Sequence, residues 1–367
     1  MKTQRPSPSA LASASLGEWS ALELLERALA SSVAPGVELG IGDDCAILTR
    51  GRARRVWTID ACLENQHFRA AWLTPADIAH KALHAAVSDV AAMGARPLGA
   101  LSHVTLGPTS SRATIAALAR GQKRASELCA CPIVGGNLTH GASFGIVTTV
   151  LGEMDEPNAQ PLRRDGARPG DEIWLVGELG LASLGLRLLE ASEPRGAAPA
   201  KSTAGTPPLA GRNRAERRCL QAFRRPRALV DEGLGLVGRA RSCLDVSDGL
   251  AGDAAHVARA SGVRLVVDGA LLLATAAPEF QKLARALAIE PLSILIQGGE
   301  DYALLATGPT RRRPAFARVI GRVEKGAGVM LDDSSGQRPL GGAFEHRSKV
   351  HGAEPRSKVN PIERRSK

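Results

Sequence analysis

The chain has 367 residues, 44% apolar and 23% charged, the make-up of a soluble globular protein longer than one core usually serves. No apolar run approaches membrane-spanning length, and the first twenty residues lack the continuous apolar stretch of a secretion signal, so neither is expected. The net charge of +10 invites a polyanion partner, but residues 191–227 carry +7 and residues 346–367 carry +5, leaving the rest at −2; with 3% aromatic residues for base stacking, nucleic acid is not the expected ligand. The six cysteines show no metal-site spacing, since Cys129 and Cys131 form a lone close pair, and reduced thiols in the cytoplasm are expected.

Residues 1–16 are Ser/Ala-rich and read as a disordered tail. Trp19, Leu22, Leu25 and Leu29 share one face of a helix predicted over 18–29. The stretch Gly40-Ile-Gly-Asp-Asp44 then leads into the apolar run 46–48, and a second run, 56–59, delivers Asp60. Two β-like runs with carboxylates at matching ends suit a hairpin that holds hard cations. Asp and Gly are also ordinary turn formers, so this stretch alone fits a capped turn equally well. His67 follows the Asp60 strand and is a candidate substrate contact.

Thr74 and Pro75 mark a helix start, and the helix carries Asp89 among small residues, where an unpaired carboxylate would be costly and a cation is its natural partner. A strand over 98–106, a helix over 111–128, a strand into a Gly-rich loop over 132–141 and a strand over 144–152 complete an N-terminal unit. The turn-rich segment 163–171 is the expected boundary. Beyond it come a strand over 172–176, a Gly-rich turn at 177–180 whose N–H groups could face an anion, and a helix to about residue 190. Residues 191–213 read as a flexible insertion. Asp245, Ser247 and Asp248 then end a short strand just before a helix over 250–260, a good place for phosphate and its cation, or simply an N-cap. Strands over 263–268, 303–306, 316–322 and 329–331 and a helix over 279–288 follow, with Gly298-Gly-Glu-Asp-Tyr302 before the second of these strands. From 346 the Arg-Ser-Lys triplet recurs in a basic low-complexity tail. Alternating strands and helices point to a mixed α+β (α/β) class in two domains, 17–160 and 161–345.

Taken together, Gly-Ile-Gly-Asp-Asp (40–44), Thr-Ile-Asp (58–60), His67-Phe68, Ser-Asp-Val-Ala-Ala-Met-Gly-Ala (88–95), Gly135-Gly136, Asp-Val-Ser-Asp-Gly-Leu (245–250) and Gly-Gly-Glu-Asp-Tyr (298–302) closely resemble, in this order, the thiamine-monophosphate kinase family of the aminoimidazole-ribonucleotide-synthetase-like superfamily. The resemblance implies a homodimer whose N-terminal domains form a joint β-barrel, with ATP and several Mg²⁺ bound there, and transfer of phosphate from ATP to thiamine monophosphate. It implies metal ligands at Asp44, Thr58, Asp60, Asp89, Asp245 and Asp248. It implies ATP contacts at Gly136, Asn137, Arg164 and Ser247, and substrate contacts at His67, Glu300 and Phe344. The accepting phosphate oxygen is already anionic, so neither a general base nor a covalent intermediate is expected. Four positions depart from the family pattern. Asn137 stands for an acid, Ile59 for a Thr that touches metal, Ala86 for an Asn and Ala303 for a Glu. Asn137 and Ile59 should weaken metal binding. Another small phosphate acceptor, or nucleotide binding with weakened catalysis, are the alternative readings.

Overall fold

Residues 46–50 and 53–63 form the strand pair on which the first half of the molecule is built. Strands β2 (Ala46–Arg50) and β3 (Ala53–Leu63) pair antiparallel, with Ala46 opposite Trp57, and β1 (Val37–Leu39) flanks β2. The structure, a computed structural model, describes residues 36–39, 43–50, 53–156, 159–192 and 212–340. The helix expected over 18–29, both tails, most of the 191–213 insertion, the glycines at 40 and 42, and Phe344 lie outside the described residues.

With β4 (Arg96–Leu106), β5 (Ile133–His140) and β6 (Gly145–Glu153), these strands make a six-stranded sheet in the order β1-β2-β3-β6-β4-β5. One face is covered by α1 (Pro75–Ala92) and α2 (Arg112–Cys129). Strand period two sends Val56, Cys62, Ile146 and Val150 into that core and leaves Trp57 and Ile59 exposed on the opposite face, at 51% and 69%. The Gly-rich loop expected at Gly135-Gly136 is instead part of β5, which runs parallel to β4. The glycine there serves close approach: at Gly136, φ is 155° and a Cβ would lie 1.9 Å from the Ser102 carbonyl oxygen. Gly136→Ala should push β5 off β4 and cost roughly 1–3 kcal/mol. Amide exchange should show the loss in β5 protection first, and unchanged protection there would contradict this account.

Helix α1 is the centre of the molecule. Thr74 caps it in a reciprocal box with Asp77, Pro75 occupies its first turn, and an Ala-rich body keeps it slim. It is buried on nearly all sides, as a helix held between two layers must be. One side meets β3 and β6; the other meets α5 (Val230–Leu236) and β8 (Ser242–Val246) of the second half.

The second sheet has seven strands in the order β13-β12-β9-β11-β7-β10-β8. Its members are β7 (Glu172–Val176), β8, β9 (Arg264–Asp268), β10 (Ala303–Gly308), β11 (Arg318–Glu324), β12 (Gly328–Asp333) and β13 (Gly336–Pro339). Strands β9 and β12 are parallel and the other neighbours antiparallel. Ile173, Leu175, Leu244, Val246, Leu265 and Val267 face a core shared with α3 (Leu181–Ala191), α4 (Arg214–Arg224), α6 (Leu250–Ser261), α7 (Gly269–Ala274), α8 (Pro278–Ala286) and α9 (Pro291–Gln297). Trp174, Val176, Cys243 and Leu304 face the other way, toward the end of α1 and α5. Helices α5, α7 and α9 were not expected from the sequence, because six or seven residues span too few turns for periodicity to register. The layout is a mixed α+β fold of two sheets.

Candidate active site

Three carboxylates from three different elements converge on α1. Asp44 comes from the turn before β2, Asp89 from α1 itself and Asp245 from β8, and one oxygen from each lies within 4.8 Å of the others. Period two explains the aim of Asp245. Leu244 and Val246 point to the α6 side of their sheet, so Asp245 points back at α1. On the opposite side β3 presents Thr58 and Asp60. The Thr58 hydroxyl donates to Asp89 Oδ2 at 2.6 Å, and the Asp60 carboxylate accepts from the Ala61 N–H at 2.7 Å.

Burial pushes the Asp44 carboxyl up to about 8, with Asp245 and Asp43 adding to the rise and Arg164 opposing it. Burial also holds Asp89 well above the usual range, and Asp245 and Asp44 add to this. Asp60 is raised to about 6 by burial and, less strongly, by the charges of Asp245, Glu300 and Asp248. Burial raises Asp245 to about 6 as well. Four mutually repelling, desolvated acids form a costly arrangement unless a cation neutralises them. Asp44 Oδ2 is buried with no hydrogen-bond partner, and the donors are all hard oxygens. This set fits Mg²⁺.

Arg164 opens a short 3-10 turn, Arg164–Gly166, and closes one side of the acids. Its guanidinium binds Asp44 and its backbone N–H donates to Asp43 Oδ2 at 3.0 Å. Ser261 steadies this turn, donating to the Arg164 carbonyl at 2.9 Å and accepting from the Ala167 N–H at 3.1 Å. On the β8 side Asp253, buried in the first turns of α6, accepts the backbone N–H groups of Ser247 and Asp248, each at 3.1 Å. The 247–248 turn is thereby set by an acid six residues downstream. Glu300 and Tyr302 both have positive φ, 63° and 53°. Their N–H groups donate to Ser247 O at 2.7 Å and Val246 O at 3.0 Å, which docks the Gly-Gly-Glu-Asp-Tyr segment against the same turn.

The structure thus gathers Asp44, Thr58, Asp60, Asp89, Arg164, Asp245, Ser247, Asp248 and Glu300 around one centre. Other expected residues sit apart. His67 lies just past the Leu63 end of β3, beyond Asp60 and outside the acid cluster itself, its Nδ1 accepting from the Leu63 N–H at 3.1 Å. Gly136 and Asn137 are on β5, separated from β3 by β6 and β4, about 14 Å at ordinary strand spacing. The Asn137 side chain is exposed and accepts from its neighbour Leu138 N–H at 2.9 Å. Ile59 requires a correction. It alternates with Thr58 and Asp60 and projects from the outer face of the sheet, so it removes no oxygen from this group of acids. The turn at 177–180 also differs from expectation. Asp301 caps α3 there, accepting from Gly180 N–H at 2.5 Å and Ala182 N–H at 2.8 Å, so those N–H groups serve the chain itself. Asp253 and Lys81 were missed as working residues. An acid early in a helix, just after Asp-Gly, was the available signal for Asp253. A lysine on an Ala-rich helix gave none for Lys81.

The first sheet and its acid-bearing helix fall in the segment, residues 42–154, that matches the family described as AIR synthase related protein, N-terminal domain. Among curated proteins, the thiamine-monophosphate kinase of Aquifex aeolicus is 32% identical over 324 residues, covering 86% of this chain and 94% of that protein. The thiamine-monophosphate kinase of Mycobacterium tuberculosis H37Rv is 32% identical over 320 residues, covering 87% and 88%. A solved structure described as AaThiL complexed with AMPPCP and TMP superposes with a TM-score of 0.77 at 30% identity, covering 90% of this chain and 97% of that one. The chain belongs to the thiamine-monophosphate kinase family.

Proposed function

We infer that this protein transfers a phosphoryl group from ATP to thiamine monophosphate, yielding thiamine diphosphate and ADP. The observation that carries this is the convergence of Asp44, Asp89 and Asp245 within 4.8 Å of one another, with Asp44 Oδ2 buried and unpartnered. Asp44, Thr58, Asp60, Asp89, Asp245 and Asp248 would hold several Mg²⁺ ions. Bound there, the metal supplies charge neutralisation for the nucleotide and acceptor phosphates.

The protein's own groups bind and orient. Arg164, pinned by Asp43 and Asp44, faces the nucleotide phosphates, and Ser247, held by the Asp253-ordered turn, adds a hydroxyl. Glu300 and His67 border the acceptor, with Phe344 in the same role. Gly136 and Asn137 serve a nucleotide contact from β5. No general base is needed, because the attacking oxygen carries its own charge and the task is in-line positioning. The test is incubation of the pure chain with ATP, Mg²⁺ and thiamine monophosphate, followed by chromatography. Thiamine diphosphate is the expected product, and its absence across a range of Mg²⁺ would overturn the assignment.

The same reading divides the chain into a nucleotide-binding domain over 17–160 and a second domain over 161–345, acting as a homodimer in the cytoplasm. Trp57, Ile59 and Leu101, exposed at 51%, 69% and 48% on the uncovered face of the first sheet, support a second copy there. All six cysteines are free, in keeping with a reducing compartment, and no described helix is long and apolar enough to cross a membrane. Ile59→Glu should yield monomers by light scattering. A dimer that persists unchanged would place the interface elsewhere.

A further inference from the structure

Lys81 is the most deeply buried cation among the described residues, 1% exposed in the middle of α1. Its ammonium makes three contacts at once. It lies 3.0 Å from Glu300 Oε1, donates to the Phe223 carbonyl at 3.1 Å, and sits 4.0 Å from the centroid of the Phe223 ring. It therefore ties together α1, the last turn of α4 and the Gly298–Tyr302 segment. A buried ammonium is costly unless paired, so this geometry is strongly held.

Glu300 is otherwise placed by its backbone, through its positive φ and the N–H bond to Ser247 O. Its side chain is 25% exposed, so one carboxylate oxygen meets Lys81 while part of the carboxylate remains open to solvent. Glu300 also lies near enough to Asp60 for its charge to raise that acid. Without Lys81 the Glu300 carboxylate would lose this ion-pair partner and be free to turn to another rotamer.

We propose that Lys81 is a positioning residue for the acceptor: through the 3.0 Å ion pair it fixes the direction of the Glu300 carboxylate, whose exposed edge then accepts hydrogen bonds from the amino-substituted heteroaromatic ring of the phosphate acceptor. This rests on the kinase assignment above and adds to it the group that orients Glu300. Lys81 acts on acceptor recognition and leaves the nucleotide side alone, because Arg164 and the three converging acids are held by other contacts.

The test compares the full-length chain with Lys81→Met, Lys81→Arg, Glu300→Ala and the Lys81→Met/Glu300→Ala double variant. Circular dichroism checks folding, and KM is measured separately for ATP and for thiamine monophosphate. Lys81→Met should raise KM for thiamine monophosphate at least tenfold with KM for ATP within twofold. In the Glu300→Ala background it should add less than twofold, since Lys81 works through Glu300. A merely structural lysine would instead alter both KM values, and equally in both backgrounds. Where Lys81→Met does not fold, Lys81→Arg decides, because a planar guanidinium cannot fit the compact ammonium's three contacts and should raise the same KM severalfold. Turnover in the unaltered chain with an unchanged acceptor KM in the folded lysine variants overturns this proposal alone. Absence of both turnover and thiamine monophosphate binding in the unaltered chain overturns the kinase assignment and this proposal with it.

Discussion

Asp245→Asn is expected to abolish phosphoryl transfer while making the metal-free protein more stable. Removing one charge from a metal-binding set forfeits several kcal/mol of transition-state stabilisation, so the rate should fall by about a thousandfold or more. Stability should move the other way. Asp245 is raised to about 6 by burial, and it in turn raises Asp44 and Asp89. At neutral pH the folded chain therefore holds a carboxylate that would be better solvated unfolded. A neutral isostere relieves this by on the order of 2 kcal/mol, which raises Tm by several degrees in metal-free buffer. Mg²⁺ should raise the Tm of the unaltered chain and barely move that of the variant, by linkage. Calorimetry with and without Mg²⁺, together with the product assay, checks all three statements. A variant that is both active and less stable without metal would refute the assignment of these acids to a cation site.

The second large effect concerns acid. His80 and His84 stack on α1 with ring centroids 4.1 Å apart, and both grip the chain just after α4. His80 Nε2 donates to the Pro226 carbonyl at 2.8 Å, and His84 Nδ1 accepts from the Ala228 N–H at 3.2 Å. Burial, then the neighbouring His80 and Arg227, lowers His84 to about 3. Burial also lowers His80. A histidine that folds neutral binds fewer protons than the unfolded chain below its ordinary range near 6.5. Its contribution is complete above that range and is lost as pH falls toward 3. For His84 alone the loss is roughly 2 kcal/mol at pH 5, a substantial part of ordinary domain stability. The buried carboxylates have raised values and titrate with the opposite sign, so the measurement must be a difference. Urea unfolding of the chain and of His84→Gln, at pH 7 and pH 5, should show the variant losing less stability on acidification. An identical loss in both would mean His84 does not fold neutral.

The sequence by itself determined most of the element order and nominated the acids of the candidate site. Runs of alternating apolar residues, the Thr74-Pro75 start of α1 and Asp placed beside Gly are local signals, and local signals survive without knowledge of contacts. They were enough to nominate Asp44, Asp60, Asp89 and Asp245 as a cation site, and the resemblance of the ordered motifs reached the family. What needed the tertiary structure was the direction each group faces. Ile59 looked like a lost ligand beside Asp60, but a strand turns neighbours to opposite faces, and which face meets α1 is decided by packing. The turn at 177–180 looked ready for an anion until Asp301, more than a hundred residues later, occupied it. Lys81 could not be distinguished from a solvated helix lysine, because its partners, Phe223 and Glu300, come from two remote segments brought together only when the second sheet closes on α1.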